Sequence, residues 1–213
     1  MKTTLAVITC LFLFVNIFAD DTKYVEAMKK NLVQIDSCRT ANDFIETANS
    51  FLRIAEAEKD KWLPYYYVSF CRVIASFTDQ DNTKKDAYLD QALVSLNKAD
   101  SLKPKESEIY TLRGMLVQAR LAVDPMSRYM QYSGEMNQSF ETAMQLNPKN
   151  PRPEYLLAAT LMYTPVEFGG GAAVAKPMFE SSLKKYNEFV PENELMPTWG
   201  KEEVESTLKR ISQ

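Results

Sequence analysis

"ALVSLNKADSLKPK" (92–105) and "MNQSFETAMQLNPK" (136–149) are one pattern written twice, 44 residues apart. Ser95 aligns with Ser139, Leu96 with Phe140, Ala99 with Ala143, Leu102 with Leu146, and Pro104-Lys105 with Pro148-Lys149. Within each copy the apolar residues recur three and four apart, which is one face of a helix. The proline ends that helix, because it lacks the N–H that a further turn needs. The segments after the prolines also agree, with Gly114 and Ala158 at the same offset and Ser69 falling 45 residues before Gly114. A weaker third copy sets Phe179-Glu180 and Ser182 against Phe140-Glu141 and Ala143, at an offset of 39.

Working outward, the same spacing predicts helices over 22–38, 41–57, 62–77, 84–102, 106–121, 130–146, 152–163, 171–188 and 200–211, with prolines or polar clusters between them. Almost nothing reads as strand. The expected fold is all-α, an α-solenoid of stacked antiparallel helix pairs near 22–57, 62–102, 106–146 and 152–188. A helix pair cannot bury its apolar face alone, so neighbouring pairs stack and the last one needs a cap. The polar helix "KEEVESTLKRI" (201–211) supplies it, with Val204, Leu208 and Ile211 at helical spacing.

The pattern resembles the tetratricopeptide repeat. The first-helix signature of that family is matched by Tyr110, Gly114 and Val117 and again by Leu157, Ala158 and Leu161. The second-helix signature is matched by Ala92, Leu96, Ala99 and Pro104, then by Met136, Phe140, Ala143 and Pro148. The departure is the period, about 44 residues where the family uses 34. The extra residues are expected in lengthened turns between the helices of a unit, around 78–86 and 122–133. Arg113 stands where a leucine is expected, and Asn187 replaces the last proline.

Composition bounds the function. The chain has 213 residues, 46% hydrophobic and 25% charged, with a formal net charge of -3. That is ordinary globular material with no basic stripe, so nucleic acid is not an expected partner. Lys2 followed by an apolar run from Leu5 to Phe18 and a small residue, Ala19, has the three-part shape of a secretory signal. Residues 1–19 are expected to be removed, leaving 20–213 as one helical repeat domain, periplasmic or secreted, with no transmembrane segment. Thr9 before Cys10 fits a lipoprotein signal poorly. Cys38 and Cys71 then remain, either bridged in an oxidising compartment or buried as small apolar residues.

The chain contains no histidine, which removes the commonest general base and zinc ligand. Acid pairs such as Glu202-Glu203 lie in charged runs, and "FGGGAAVAK" lacks the spacing of a phosphate loop. No catalytic residue, cofactor or metal site is expected, so the chain is not expected to be an enzyme. The resemblance instead implies a binding scaffold of the cell envelope, taking a peptide or protein partner in the concave groove lined by first helices. Candidate groove residues are Tyr65, Tyr66, Tyr67, Tyr110 and Arg113. Three successive tyrosines span too wide an arc of a helix for all to face the core. Another reading is a small-ligand accessory protein with a pocket under the long turns. The methionine-rich stretch 124–136, with Met126, Tyr129, Met130, Tyr132 and Met136, fits either core filling or an adaptable contact surface.

Gly169, Gly170 and Gly171 stand between the helices of the last unit. They read as a reversal after Thr164-Pro165, pinned by Phe168. The sharper reading is an anion-binding turn, with free N–H groups at the helix start and Lys176 one turn in.

Overall fold

The computed structural model describes residues 22–212. The proposed signal at 1–19 and Cys10 lie outside the described residues. Among those described there are nine α-helices and no strand. They are α1 (22–37), α2 (Ala41–Ala57), α3 (Trp62–Thr78), α4 (Asn82–Leu102), α5 (Ser107–Val123), α6 (Pro125–Leu146), α7 (Arg152–Tyr163), α8 (Ala172–Glu188) and α9 (Lys201–Ile211). A 3-10 turn at Val166–Phe168 follows α7.

Local chemistry sets the boundaries. Thr40 and Asp43 form a reciprocal cap on α2, in which the Asp43 N–H reaches Thr40 Oγ1 at 3.2 Å and the Thr40 N–H reaches Asp43 Oδ2 at 2.8 Å. Asp81 caps α4 through the Thr83 N–H at 3.0 Å, and Asp124 caps α6 through the Ser127 N–H at 3.3 Å. These caps overturn the long turns expected at 78–86 and 122–133. Residues 79–81 alone link α3 to α4, and Asp124 alone links α5 to α6. Pro125 opens α6 instead of breaking it, because the first helical position needs no N–H. The additional residues of each unit therefore lengthen the second helices, to 21 residues in α4 and 22 in α6.

Helices pair as α3 with α4, α5 with α6 and α7 with α8, and successive first helices pack side by side, α3 on α5 on α7. The fold is thus all-α and built from stacked helix pairs, as the repeat implied. Gly114 explains the close approach within a pair: a Cβ there would collide with the Phe140 ring of α6. One apolar cluster runs from Met28 of α1 to Leu156 of α7. A smaller one joins Ala158, Ala175, Phe179, Tyr186 and Val204, and Tyr155 packs against both. Val204 is fully buried, with Leu208 and Ile211 beside it, so α9 closes the end of the array.

Candidate functional site

The residues between α8 and α9 decide what the concave face can do. This strap, 189–200, lies across the first helices. Tyr67 of α3 donates its hydroxyl to the Leu195 carbonyl at 2.7 Å, and the Trp199 indole N–H reaches the Tyr66 hydroxyl at 3.1 Å. Trp199 also stacks on Phe70, with ring centroids 5.4 Å apart. Leu195, Met196 and Pro197 are buried, and Lys29 of α1 pairs with Glu194 at 2.7 Å. Tyr66 and Tyr67 are buried beneath this strap, not open to a partner.

Beneath the strap sits a buried ion pair. Arg152, at the start of α7, is 1% exposed, and its Nη1 donates to Glu108 Oε1 of α5 at 2.8 Å. Its Nη2 donates to the Pro197 carbonyl. The guanidinium lies over the rings of Phe189, Trp199 and Tyr186, at 5.0, 5.4 and 5.8 Å from their centroids. Burial pushes the Glu108 carboxyl up to about 7, with the Arg152 charge opposing it. Burial likewise raises the Tyr66 hydroxyl well above its ordinary value. Asn150 braces the pair, accepting from the Arg152 N–H at 3.1 Å and donating to Ser107 Oγ at 2.9 Å. Sequence reading passed over Glu108 and Arg152, although they lie one 44-residue period apart and the stacking of equivalent helices brings such positions together.

The other groove candidates do not join this centre. Tyr65 points away from the strap and is half-buried against the main core. Tyr110 is half-buried, with nothing to mark it as a contact residue. Arg113 is used within the array, bonding Asn97 at 3.0 Å and Asp100 at 3.1 Å on α4. Cys38 and Cys71 are both buried free thiols, not a bridge. Cys38 Sγ lies 3.3 Å from Thr47 Oγ1, and burial raises the Cys71 thiol above its ordinary range.

The glycine turn is a reversal, and its N–H groups are not free for an anion. Gly169 donates to Val166, Gly170 to Pro165 and Gly171 to Leu161, at 3.0, 3.2 and 2.8 Å. Gly169 and Gly171 have φ of 81° and 96°, in the left-handed region that favours glycine. Gly170 is needed for space, since a Cβ there would meet the Thr164 and Leu161 carbonyl oxygens. Lys176 lies half-buried on α8, about one turn past the glycines. Phe168 does not pin the turn, being 75% exposed.

That exposure belongs to a larger feature. α6 has 22 residues and α7 only 12, so α7 ends short and leaves the first turns of α6 uncovered on one side. Register follows from Thr160 of α7, which bonds Gln118 of α5 at 2.8 Å and touches Met136 Sδ of α6 at 4.0 Å. Arg128 points toward α4, where Asp86 holds it at 2.6 Å, so Met126 and Met130 project from the opposite side of α6. Met126 and Met130 are 94% and 90% exposed, and Tyr163, Val166 and Phe168 each about three-quarters. Tyr129 is half-exposed between them. These thioethers and rings, left in water on the start of α6 and on the end of α7 with its turn, are together termed the shelf. A second depression, lined by Lys30, Asn31, Asp43, Glu46 and Ser50 between α1 and α2, is polar and open.

No protein-family model matches the chain, and no curated protein matches it. Among solved structures, the HusA haemophore from Porphyromonas gingivalis is similar over 88% of this chain and 92% of its own, with 34% sequence identity and a TM-score of 0.79. This corrects the expectation of a peptide- or protein-binding scaffold. The relative is a haemophore, and the groove that would have taken a peptide is filled by residues 189–200. The small-ligand reading gains instead, although the long turns imagined over its pocket are helix. With a third of its residues identical across nearly the whole of both chains, the protein belongs to the family of the HusA haemophore.

Proposed function

We propose that this protein is a non-enzymatic, exported carrier of a flat, largely apolar ligand of the haem class, held on the shelf between the start of α6 and the α7–α8 turn. The observation that carries the reading is the exposure of Met126, Met130, Tyr163, Val166 and Phe168, large apolar side chains left in water on α6 and on the end of α7, two helices that pack together. Large apolar side chains left in water favour a contact site, because leaving them wet costs free energy that a ligand recovers. The haemophore relative supports the choice of cargo. The chain has no histidine, so any iron ligand from this shelf is the phenolate of Tyr129 or Tyr163 or the thioether of Met126 or Met130. The signal-like residues 1–19 support export, and no described helix is long and apolar enough to cross a membrane. The Gly114–Phe140 contact supports a tetratricopeptide-like origin for the array.

Titration of haemin into the protein, followed by its Soret absorbance, tests the reading. Met126→Ala with Met130→Ala is expected to weaken binding roughly tenfold or more, since each thioether side chain contributes on the order of 1.5 kcal/mol when fully covered. Because both side chains are exposed, the melting temperature stays near that of the parent. Unchanged haemin affinity in the double variant rules the shelf out.

A further inference from the structure

Every buried charge needs a partner, and among the described residues one buried arginine has no carboxylate beside it. Arg113, Arg120, Arg128 and Arg152 each pair with a carboxylate at 3.1 Å or less. Arg72, in the middle of α3, is only 8% exposed and forms no ion pair. Its Nη1 makes a long contact, 3.5 Å, with Ser95 Oγ of α4, which itself donates to the Gln91 carbonyl. Among the described residues its Nε is sealed from solvent without an acceptor, and Nη2 makes no hydrogen bond. One turn earlier on the same face, the fully buried Ser69 hydroxyl is also without a partner. Tyr65, Ser69, Arg72 and Ser76 stand at i, i+4, i+7 and i+11, a single stripe of α3 turned from the strap toward α4. Burial pulls the guanidinium below its ordinary pKa, and among the described residues no carboxylate opposes that shift.

The geometry points to an anion site: the Arg72 guanidinium, with the Ser69 hydroxyl, receives a carboxylate group between α3 and α4. The guanidinium presents Nε–H and Nη2–H as two parallel donors, which matches the two oxygens of one carboxylate. The hydroxyl of Ser69 adds a third donor. The site lies on the α4 side of α6 and the porphyrin shelf on the other, so the carboxylate is that of a free small acid. A propionate arm, which would rest on the haem-class reading above, is the alternative that the second titration tests.

Two titrations decide the matter. First, uniformly 15N-labelled protein is titrated with sodium acetate while the Arg72 Nε–Hε resonance is followed, using R72M to assign it and sodium chloride to control for ionic strength. A saturable shift with acetate beyond that with chloride is expected, and its absence overturns the site. R72K, which keeps the charge but loses the fork, serves if R72M does not fold, and there the acetate response of the neighbouring Ser69 and Ser95 amides is expected to be lost. Undiminished amide responses in R72K or R72M overturn it too. Second, haemin and its dimethyl ester are titrated into the parent and R72M. A loss of roughly tenfold or more for haemin alone assigns the carboxylate to a propionate. Equal haemin binding by both proteins, with the acetate shift intact, assigns the site to a free carboxylate. Failure of any form to bind haemin removes the haem reading and leaves the acetate result to stand by itself.

Discussion

Arg152→Ala tests the centre of the fold most severely. The substitution removes the partner of Glu108, the donor to the Pro197 carbonyl and the cation beneath Trp199 and Phe189. Breaking a buried pair from one side costs about 3–5 kcal/mol, because the other charge stays behind in a low-dielectric site. For a chain of this size that is a fall of roughly 6–20 °C in melting temperature, at about 2–4 °C per kcal/mol. Glu108 can soften the loss by taking up a proton, since burial already raises its carboxyl to about 7. The penalty should therefore be larger at pH 8.5 than at pH 5.5. Urea melts monitored by circular dichroism give the global cost. Fluorescence of Trp199 in a Trp62→Phe background shows whether the strap lifts before the helices melt. Pairing Arg152→Met with Glu108→Gln removes both charges and should recover most of the stability. A single-variant loss below about 1 kcal/mol, or a double variant no better than the single, refutes the argument that the ion pair is what an intact strap requires.

Three further outcomes follow from the same geometry. The Glu108 carboxyl titrates higher in the folded chain than its ordinary value of 4.5, so the native state holds the extra proton between about 4.5 and about 7. Its contribution to stability is therefore greatest below that window and falls as pH rises through it. The difference in urea midpoint between parent and Glu108→Gln, measured from pH 4 to 8, should change with that sign. Gly170→Ala should lower the melting temperature even though its φ is not positive, because the new methyl meets two carbonyl oxygens. Gly114→Ala should cost about 1–3 kcal/mol by thermal melt, the range for overpacking, as its methyl enters the Phe140 ring.

Sequence by itself determined the helices, their order and their pairing. Ala41–Ala57 and Arg152–Tyr163 lie where period and proline placed them, because apolar spacing and capping are chemistry between residues a few positions apart. Even the misjudged turns at 78–86 and 122–133 carried their correction locally, in Asp81 and Asp124 ahead of residues that continue a helix. The tertiary structure alone decided what the surfaces are for. The strap has no period, and its anchors lie 128 and 133 residues back along the chain, at Tyr67 and Tyr66. Nothing local announces that these tyrosines meet Leu195 and Trp199 and not a partner. Glu108 and Arg152 sit one period apart, a relation visible in the numbering only to a reader who already knows that equivalent helices stack. Whether Met126 and Met130 fill a core or face water turned on the length of α7 relative to α6. That mismatch becomes a surface only when the two helices lie side by side.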